Sequence, residues 1–202
     1  MEAFLANMTP QRAAALAWLA WVISWWLAAF WRAPAVRRAG AGAELLHLSI
    51  TALGMYLVFG GQFAGRFGWD PSLLPFPTEW SVGSLVGWAL AGLTVLGFLF
   101  CWWARLSLGS LWSGNITAKA DHRIVDTGPY ALVRHPIYTG MITAAAGMAV
   151  LNGSLLNIVG VALVIVGFTI KARIEERFLR TELGAEAYDA YAKRVGMLIP
   201  GL

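Results

Sequence analysis

The chain has 202 residues, of which 58% are hydrophobic and 13% charged, and its formal net charge is +4. Soluble globular domains contain about 45–50% apolar and about 25% charged residues, so this composition excludes a soluble fold of this size. The abundance of apolar residues excludes disorder, and a single cysteine, Cys101, excludes a disulfide scaffold. The composition therefore predicts a polytopic helical membrane protein built as a single domain over residues 1–202.

Five apolar segments resemble membrane spans, which need about 20 residues each. In chain order they are 13–31, 45–65, 81–104, 137–151 and 155–170. The last two are short and are joined by Asn152-Gly153-Ser154, a turn sequence that predicts a helical hairpin. The fifth helix is predicted to continue through 171–183, with Gly184 as its cap. The predicted fold is all-α, with five transmembrane helices followed by a cytoplasmic C-terminal helical region.

The basic residues are distributed unequally about these segments. Arg12 and Arg66 fall on the side of the N-terminus and the hairpin turn. The opposite side carries the other thirteen, which are Arg32, Arg37, Arg38, Arg105, Lys119, Arg123, Arg134, Lys171, Arg173, Arg177, Arg180, Lys193 and Arg194. Because Lys and Arg concentrate in cytoplasmic loops, the N-terminus is predicted to lie outside and the C-terminus in the cytoplasm. The membrane would be a bacterial-type inner or plasma membrane.

Small and aromatic residues recur at helical spacing in the first half of the chain. The pairs Gly83/Gly87 and Gly61/Gly65 have the GxxxG spacing that allows close helix packing. Packing within one chain is favoured over a homodimer, so a monomer is expected. The first segment also carries a stripe of tryptophans, predicted to face lipid or to pack against other helices, formed by Trp18, Trp21 and Trp25.

The first of two polar segments, 121–140, predicts an anion-binding site at the membrane surface. Pro136 marks the start of the fourth helix, whose free backbone N–H groups favour an anion. Arg134 stands beside that start and can bind a carboxylate or phosphate through two hydrogen bonds. His135 and Tyr138 lie one turn apart and can face the same pocket. Alternatively, Arg134 binds only lipid phosphate and His135 only caps the helix.

The second polar segment, 171–200, places an acidic pair about one turn beyond the fifth apolar segment. A carboxylate near the membrane interior is costly unless it is paired. One acid of Glu175 and Glu176 is therefore predicted to point inward towards Arg134 while the other turns away. Tyr188 and Tyr191 follow at helical spacing and predict a lid that folds back over the site. A solvated acidic face and an aromatic belt are the alternatives.

Both polar segments resemble motifs of one enzyme family. The first contains the series His122-x-x-Val125-x-x-Gly128-Pro129-Tyr130-x-x-x-Arg134-His135-Pro136-x-Tyr138-x-Gly140. The second contains Glu175-Glu176-x-x-Leu179, Leu183-Gly184-x-x-x-Tyr188-x-x-Tyr191 and a final Ile199-Pro200. These motifs resemble those of the isoprenylcysteine carboxyl methyltransferase family, and phospholipid N-methyltransferases share the broad pattern. The resemblance covers 105–200, whereas 1–104 carries three predicted spans and no matching motif.

The resemblance implies a membrane methyltransferase that binds S-adenosylmethionine within 105–202, at the cytoplasmic face. It implies that the adenosyl part is wrapped by His122, Ile124, Val125, Gly128 and Tyr130. It implies that the ribose and amino-acid ends are held by His135, Pro136, Tyr138 and Glu176. Arg134 and Glu175 would lie nearest the reacting groups as catalytic residues. Tyr188 and Tyr191 would lie on the substrate side, and no metal is implied.

The predicted function is methyl transfer to a lipophilic acceptor, either an isoprenylcysteine-type carboxylate or a related lipid carboxyl, amine or thiol group. The expected partners are this acceptor and membrane lipids, without nucleic acid. One alternative is an NADPH-dependent sterol or isoprenoid reductase, since those enzymes share an Arg-His-Pro-x-Tyr element. They usually have Asn where this chain has Ile137. The other alternative is a non-enzymatic lipid-binding membrane protein.

Overall fold

The computed structural model describes residues 7–31, 37–38, 41–60, 79–113, 117–118 and 124–202. The α-helices in these ranges are α1 (Pro10–Ala28), α2 (Ala41–Gly60), α3 (Ser84–Leu108), α4 (Pro136–Asn152), α5 (Leu155–Leu183) and α6 (Ala185–Arg194). Single 3₁₀ turns are Gly109–Leu111 and Gly128–Ala131. Two-residue strands, β1 (Arg37–Arg38) and β2 (Thr117–Ala118), pair antiparallel. The helical fold class is confirmed, with this strand pair as the exception.

Two of the described helical segments are long and apolar enough to cross a membrane. They are Ser84–Leu111 and Leu155–Leu183, with mean hydropathies of 2.0 and 2.2. The apolar helix Glu44–Gly60 is shorter, and α1 and α4 contain 19 and 17 residues. Length and composition therefore support two spans, and the count of five stays a prediction.

The predicted hairpin between the last two apolar segments is confirmed. Gly153 ends α4 in the left-handed conformation, with φ at +73°, which glycine adopts without a Cβ clash. The side chain of Ser154 then caps α5 by accepting a hydrogen bond from the backbone N–H of Leu156. As predicted, α5 continues without a break past 170 to Leu183.

Around this hairpin, the helices pack through two broad interfaces, α2 against α5 and α3 against α4. Helix α1 packs on α3, away from α2 along most of its length. The ring of Trp18 on α1 nevertheless meets Phe59 of α2 and Phe98 of α3 edge-on, at 5.0 and 4.7 Å between centroids. The apolar core therefore lies where α1, α3 and α4 meet, with α2 closing one end.

Glycines bring the backbones of these paired helices together. A Cβ added at Gly97 on α3 would lie 2.5 Å from the carbonyl oxygen of Gly140 on α4. Likewise, a Cβ at Gly54 on α2 would lie 2.7 Å from the carbonyl oxygen of Gly160 on α5. Only glycine permits these approaches, so the helix pairs depend on small residues as membrane helices commonly do.

The GxxxG pairs predicted from spacing are not the glycines of these contacts. A Cβ at Gly83 would meet nothing within 4 Å, and one at Gly87 would touch the ring of Pro10 at 3.0 Å. Gly61 and Gly65 lie outside the described residues. Gly87 therefore packs closely within the chain and Gly83 does not, because spacing alone does not tell which face of a helix meets its neighbour.

Replacing Gly97 with alanine is expected to destabilise the fold by roughly 1–3 kcal/mol, the usual cost of overpacking. The new methyl group would have to push the α4 backbone away. The free energy of unfolding in bicelles measures this effect. Gly92→Ala is the matched control on the same helix, because a Cβ there would meet nothing within 4 Å. Equal stability of the two variants would contradict the packing argument.

At the end of α3, a buried arginine ties α3 to α1. Both Ala28 and Trp31 accept hydrogen bonds at their carbonyl oxygens from Nη2 of Arg105, at 3.0 and 2.7 Å. The carbonyl of Gly109 accepts one from Nη1 at 2.5 Å. The guanidinium also lies 5.0 and 4.6 Å from the ring centroids of Trp31 and Trp112. The third apolar segment was predicted to end at 104, with Arg105 in the loop beyond it, but α3 continues to Leu108 and buries the Arg105 side chain fully.

Candidate active site

The start of α4 is built as the sequence predicts. Pro136 occupies the first helical position and His135 is the N-cap residue. The backbone N–H groups of Arg134 and His135 donate to the carbonyls of Gly196 and Met197, at 2.8 and 3.1 Å. The last residues of the chain therefore lie alongside the segment that enters α4, and they orient the side chains at its start.

Both acids of the Glu175–Glu176 pair on α5 point at His135. Its Nε2 lies 3.1 Å from Oε1 of Glu176, and its Nδ1 lies 3.5 Å from Oε2 of Glu175. The side chains of Glu175 and Glu176 are 19% and 15% exposed. The prediction that one acid turns away was wrong. A single imidazole carries a nitrogen on each side, so it reaches two successive carboxylates.

Arg134 joins three helices through its guanidinium. Its Nε donates to Oε1 of Glu176 at 2.7 Å, and its Nη1 donates to the carbonyls of Ala192, at 3.0 Å, and Val195. The inward acid that pairs with Arg134 is therefore Glu176. The arginine fastens the start of α4 to α5 and to the end of α6.

Glu175 instead belongs to an aromatic and cationic group. The hydroxyl of Tyr138 donates to its Oε1 at 2.7 Å, and Nζ of Lys171 lies 4.0 Å from the same oxygen. The Tyr138 ring stacks between His135, at 5.3 Å, and Phe168, at 4.7 Å. Lys171 lies 5.4 Å from the centroid of the Tyr138 ring. These contacts hold a buried carboxylate in one orientation.

The expected lid residues lie on α6, which folds back over this group. Tyr188 and Tyr191 are 4% and 5% exposed, and the Tyr191 hydroxyl donates to the carbonyl of Tyr130 at 2.7 Å. They pack with Val195, Ile124 and Leu179. Burial raises the pKa of Tyr191 to about 12, so its hydroxyl stays protonated as a hydrogen-bond donor. A gating motion of α6 stays a prediction.

A cavity of about 300 Å³ lies among these elements. It is lined by most of the predicted site residues, namely Ile124, Val125, Tyr130, Arg134, His135, Tyr138, Glu175, Tyr188 and Tyr191. Three other candidates, Gly128, Pro136 and Glu176, do not line it. His122 lies outside the described residues. Two motifs separated by about forty residues thus share one cavity.

Part of the cavity wall was missed by the sequence reasoning. Lys171 and Phe168 contribute from α5, and Trp21, Trp25 and Trp112 from α1 and the end of α3. Lys171 was detectable as the i, i+4 partner of Glu175. The tryptophans were assigned to packing or lipid contact, and nothing in their spacing distinguishes a cavity wall from either.

The charge on His135 is expected to make stability depend on pH. Burial opposes its protonation, but hydrogen bonds to Glu175 and Glu176 outweigh burial and raise the pKa of His135 above 6.5. Its stabilisation is therefore full below pH 6.5 and is lost as pH rises through the raised pKa. The difference in unfolding free energy between wild type and His135→Gln, measured in detergent, should shrink over that rise. A difference independent of pH would contradict the charged pairing.

Comparisons with known proteins identify relatives of the segment that contains most of this site. Residues 90–181 match the model of the Isoprenylcysteine carboxyl methyltransferase (ICMT) family. The Protein-S-isoprenylcysteine O-methyltransferase of Schizosaccharomyces pombe is 33% identical over 100 residues, which cover 48% of this chain and 42% of that protein. A Probable protein-S-isoprenylcysteine O-methyltransferase of Oryza sativa subsp. indica is 40% identical over 88 residues, covering 43% and 45%.

The matches support the family resemblance predicted from the two motifs. The matched part of the chain spans less than half the length of these curated relatives. The segment 90–181 begins within α3 and ends within α5. It includes Arg134, His135 and both acids, and it leaves out α1, α2 and α6.

Proposed function

We propose that this protein transfers a methyl group from S-adenosylmethionine to a lipophilic acceptor at the cytoplasmic face of a membrane. The observation that carries the proposal is the single cavity between the two motifs. Its charged and polar lining residues, called the polar end here, are Arg134, His135, Tyr138, Lys171 and Glu175, and most of the remaining lining is aromatic or apolar. A polar donor and an apolar acceptor need both kinds of lining.

The residues at the polar end fit the proposed cofactor. S-Adenosylmethionine has a carboxylate, an ammonium group and an adenosyl group, so it requires charges of both signs beside an apolar surface. Lys171 and Arg134 supply cationic groups, Glu175 supplies a carboxylate, and Ile124 and Val125 supply the apolar surface. When bound, the cofactor would supply a methyl group attached to a cationic sulfur. An acceptor lone pair would form the new bond to the methyl carbon while the carbon–sulfur bond breaks and its electron pair stays on the sulfur.

Positioning is the main task of the protein in such a displacement, because alignment of the reacting atoms supplies much of the rate. Arg134 fixes the relative positions of α4, α5 and α6 through Glu176 and two carbonyls. The buried tyrosines of α6 keep water away from the polar end. Water is thereby kept from competing with the acceptor.

The role of Glu175 depends on the acceptor. A carboxylate acceptor is already a nucleophile and needs a cation such as Lys171 to orient it. A thiol or amine acceptor must lose a proton, and Glu175 lies on the cavity wall where it can accept one. Tyr138 and Lys171 hold that carboxylate in place in either case.

The distribution of charge supports a cytoplasmic site. Of the basic residues, thirteen fall on the side of the predicted topology that holds the starts of α4 and α6. The positive-inside rule assigns that side to the cytoplasm. An apolar acceptor would then reach the cavity from the bilayer, between the helices.

The test is to incubate the purified protein with methyl-labelled S-adenosylmethionine and N-acetyl-S-farnesyl-cysteine, and separately with total membrane lipid. Transferred label that is released by mild base identifies a methyl ester, whereas stable label identifies N- or S-methylation. Binding of the cofactor is measured in parallel by calorimetry. A protein that does not bind S-adenosylmethionine would overturn the proposal. Equal methylation of a water-soluble short-chain analogue would contradict a lipophilic acceptor.

A further inference from the structure

We infer that the tryptophan wall, formed by Trp21, Trp25 and Trp112, sets the length of apolar chain that the acceptor can carry. This inference rests on the proposed function, because it concerns the acceptor of that reaction. The three rings line the cavity together with Met141 and Phe168 from α4 and α5. The three tryptophans come from α1 and the end of α3, and not from the acidic helix α5.

The rings of the wall form a continuous contact series. Trp21 is stacked on Trp25 at 5.0 Å and on Phe98 at 5.2 Å. Trp25 meets Trp112 edge-on at 5.4 Å and Trp102 at 5.6 Å. The indole of Trp102 is in turn held by a 3.2 Å hydrogen bond to Ser24. Each ring in this series is packed against at least one other ring, so the wall forms a continuous aromatic boundary.

The indole N–H of Trp21 has an energetic cost that an apolar side chain at the same position would not have. The buried Nε1 of Trp21 has no hydrogen-bond partner among the described residues. A buried unsatisfied donor costs about 1–3 kcal/mol, and a leucine at this position would not incur that cost. An indole retained there supplies a large flat surface to the cavity.

The wall also lies largely outside the part of the chain that resembles known methyltransferases. The family match begins at residue 90, so α1 with Trp21 and Trp25 precedes it. The residues that fit the cofactor, by contrast, fall within or close to the matched segment. The α1 tryptophans are thus separate from the cofactor-binding motifs, as expected for residues that select the acceptor.

The size of the cavity makes such a boundary effective. At about 300 Å³ it is at the lower end of the range of ligand pockets, roughly 300–1,000 Å³. With cofactor at the polar end, the wall would bound the space left for the apolar chain of the acceptor. Removing one indole would lengthen that space.

The experiment compares Trp21→Ala and Trp25→Ala with Trp26→Ala. Trp26 is on the same helix but is 65% exposed, which makes it the matched control. The probes are N-acetylcysteine carrying S-prenyl, S-geranyl or S-farnesyl chains. For each probe, kcat/KM is measured, and its affinity is measured without cofactor. The affinity for S-adenosylmethionine is measured separately.

We expect the wall variants to shift preference towards the longer probes by about tenfold or more in the ratio of kcat/KM. The cofactor-free affinities should shift in the same direction, while affinity for S-adenosylmethionine and the preference of Trp26→Ala stay unchanged. Trp21→Phe keeps a ring and should change preference less, which covers the case in which Trp21→Ala does not fold.

A length preference equal to that of Trp26→Ala in every wall variant would overturn the inference. The inference would also be overturned if the wall variants lost affinity for S-adenosylmethionine together with affinity for the probes. It would be overturned as well if the wild-type protein bound none of the probes. Failure of the proposed function looks different. In that case wild type neither binds S-adenosylmethionine nor transfers a methyl group, and the cofactor-free affinities still decide whether the wall selects chain length.

Discussion

Replacing Arg134 with alanine is expected to lower kcat/KM for methyl transfer roughly 1,000-fold, a loss of about 4 kcal/mol of transition-state stabilisation. The variant loses the 2.7 Å bond to Glu176 and the bonds to the carbonyls of Ala192 and Val195. It leaves Glu176, whose side chain is only 15% exposed, with His135 as its remaining partner, and breaking a buried pair by removing one member is costly. Kinetics with labelled S-adenosylmethionine and calorimetric binding of the cofactor measure the effect.

Two further variants separate this role from a simple loss of charge. Arg134→Lys keeps the charge but cannot reproduce the planar fork that reaches Glu176 and the carbonyls at once, so we expect it to stay strongly impaired. Arg180→Ala removes an exposed ion pair with Asp189, whose side chains are 48% and 41% exposed. That variant should retain nearly full activity. Activity of Arg134→Ala close to that of Arg180→Ala would refute the proposed positioning.

Replacing Arg105 with methionine is expected to lower the free energy of unfolding by roughly 3 kcal/mol. The guanidinium is fully buried and donates to the carbonyls of Ala28, Trp31 and Gly109. Methionine fills a similar volume but donates to none of them, so the three carbonyls lose this donor. Thermal or denaturant unfolding in detergent measures the loss.

The control for Arg105 is Arg194→Ala, which removes a pair with Asp126 whose side chains are 67% and 46% exposed. Its stability should match that of the wild type. Because Arg105 also holds the end of α1, Arg105→Met should weaken acceptor binding more than cofactor binding. A variant as stable as Arg194→Ala would show that the clamp contributes little.

Features that depend on neighbours in the chain were predictable from sequence. The turn at Gly153, the cap at Ser154 and the helix start at Pro136 arise from backbone preferences within a few residues. The two motifs, read in order, also predicted the match to the methyltransferase family model and that Arg134 would meet an acid of α5. The hairpin is the physical reason, because it brings the start of α4 beside the later part of α5.

Other features were decided only by tertiary structure. The close contact of Gly97 with Gly140 and the wall position of Trp21 depend on how each helix is rotated about its axis, and an all-round apolar helix does not encode that rotation in its spacing. Arg105 reads as a solvated charge in the sequence, yet the end of α1 supplies carbonyls that let it be buried.

The apolar composition of the whole chain thus determined, by itself, that the chain folds as helices suited to a membrane. The sequence also determined where the polar chemistry lies along the chain, because charge is scarce and falls in two segments. Which acid pairs with Arg134, and which aromatic rings complete the cavity, was settled only by packing. Those choices depend on distances of a few ångströms between side chains on different helices, and no local sequence pattern specifies such distances.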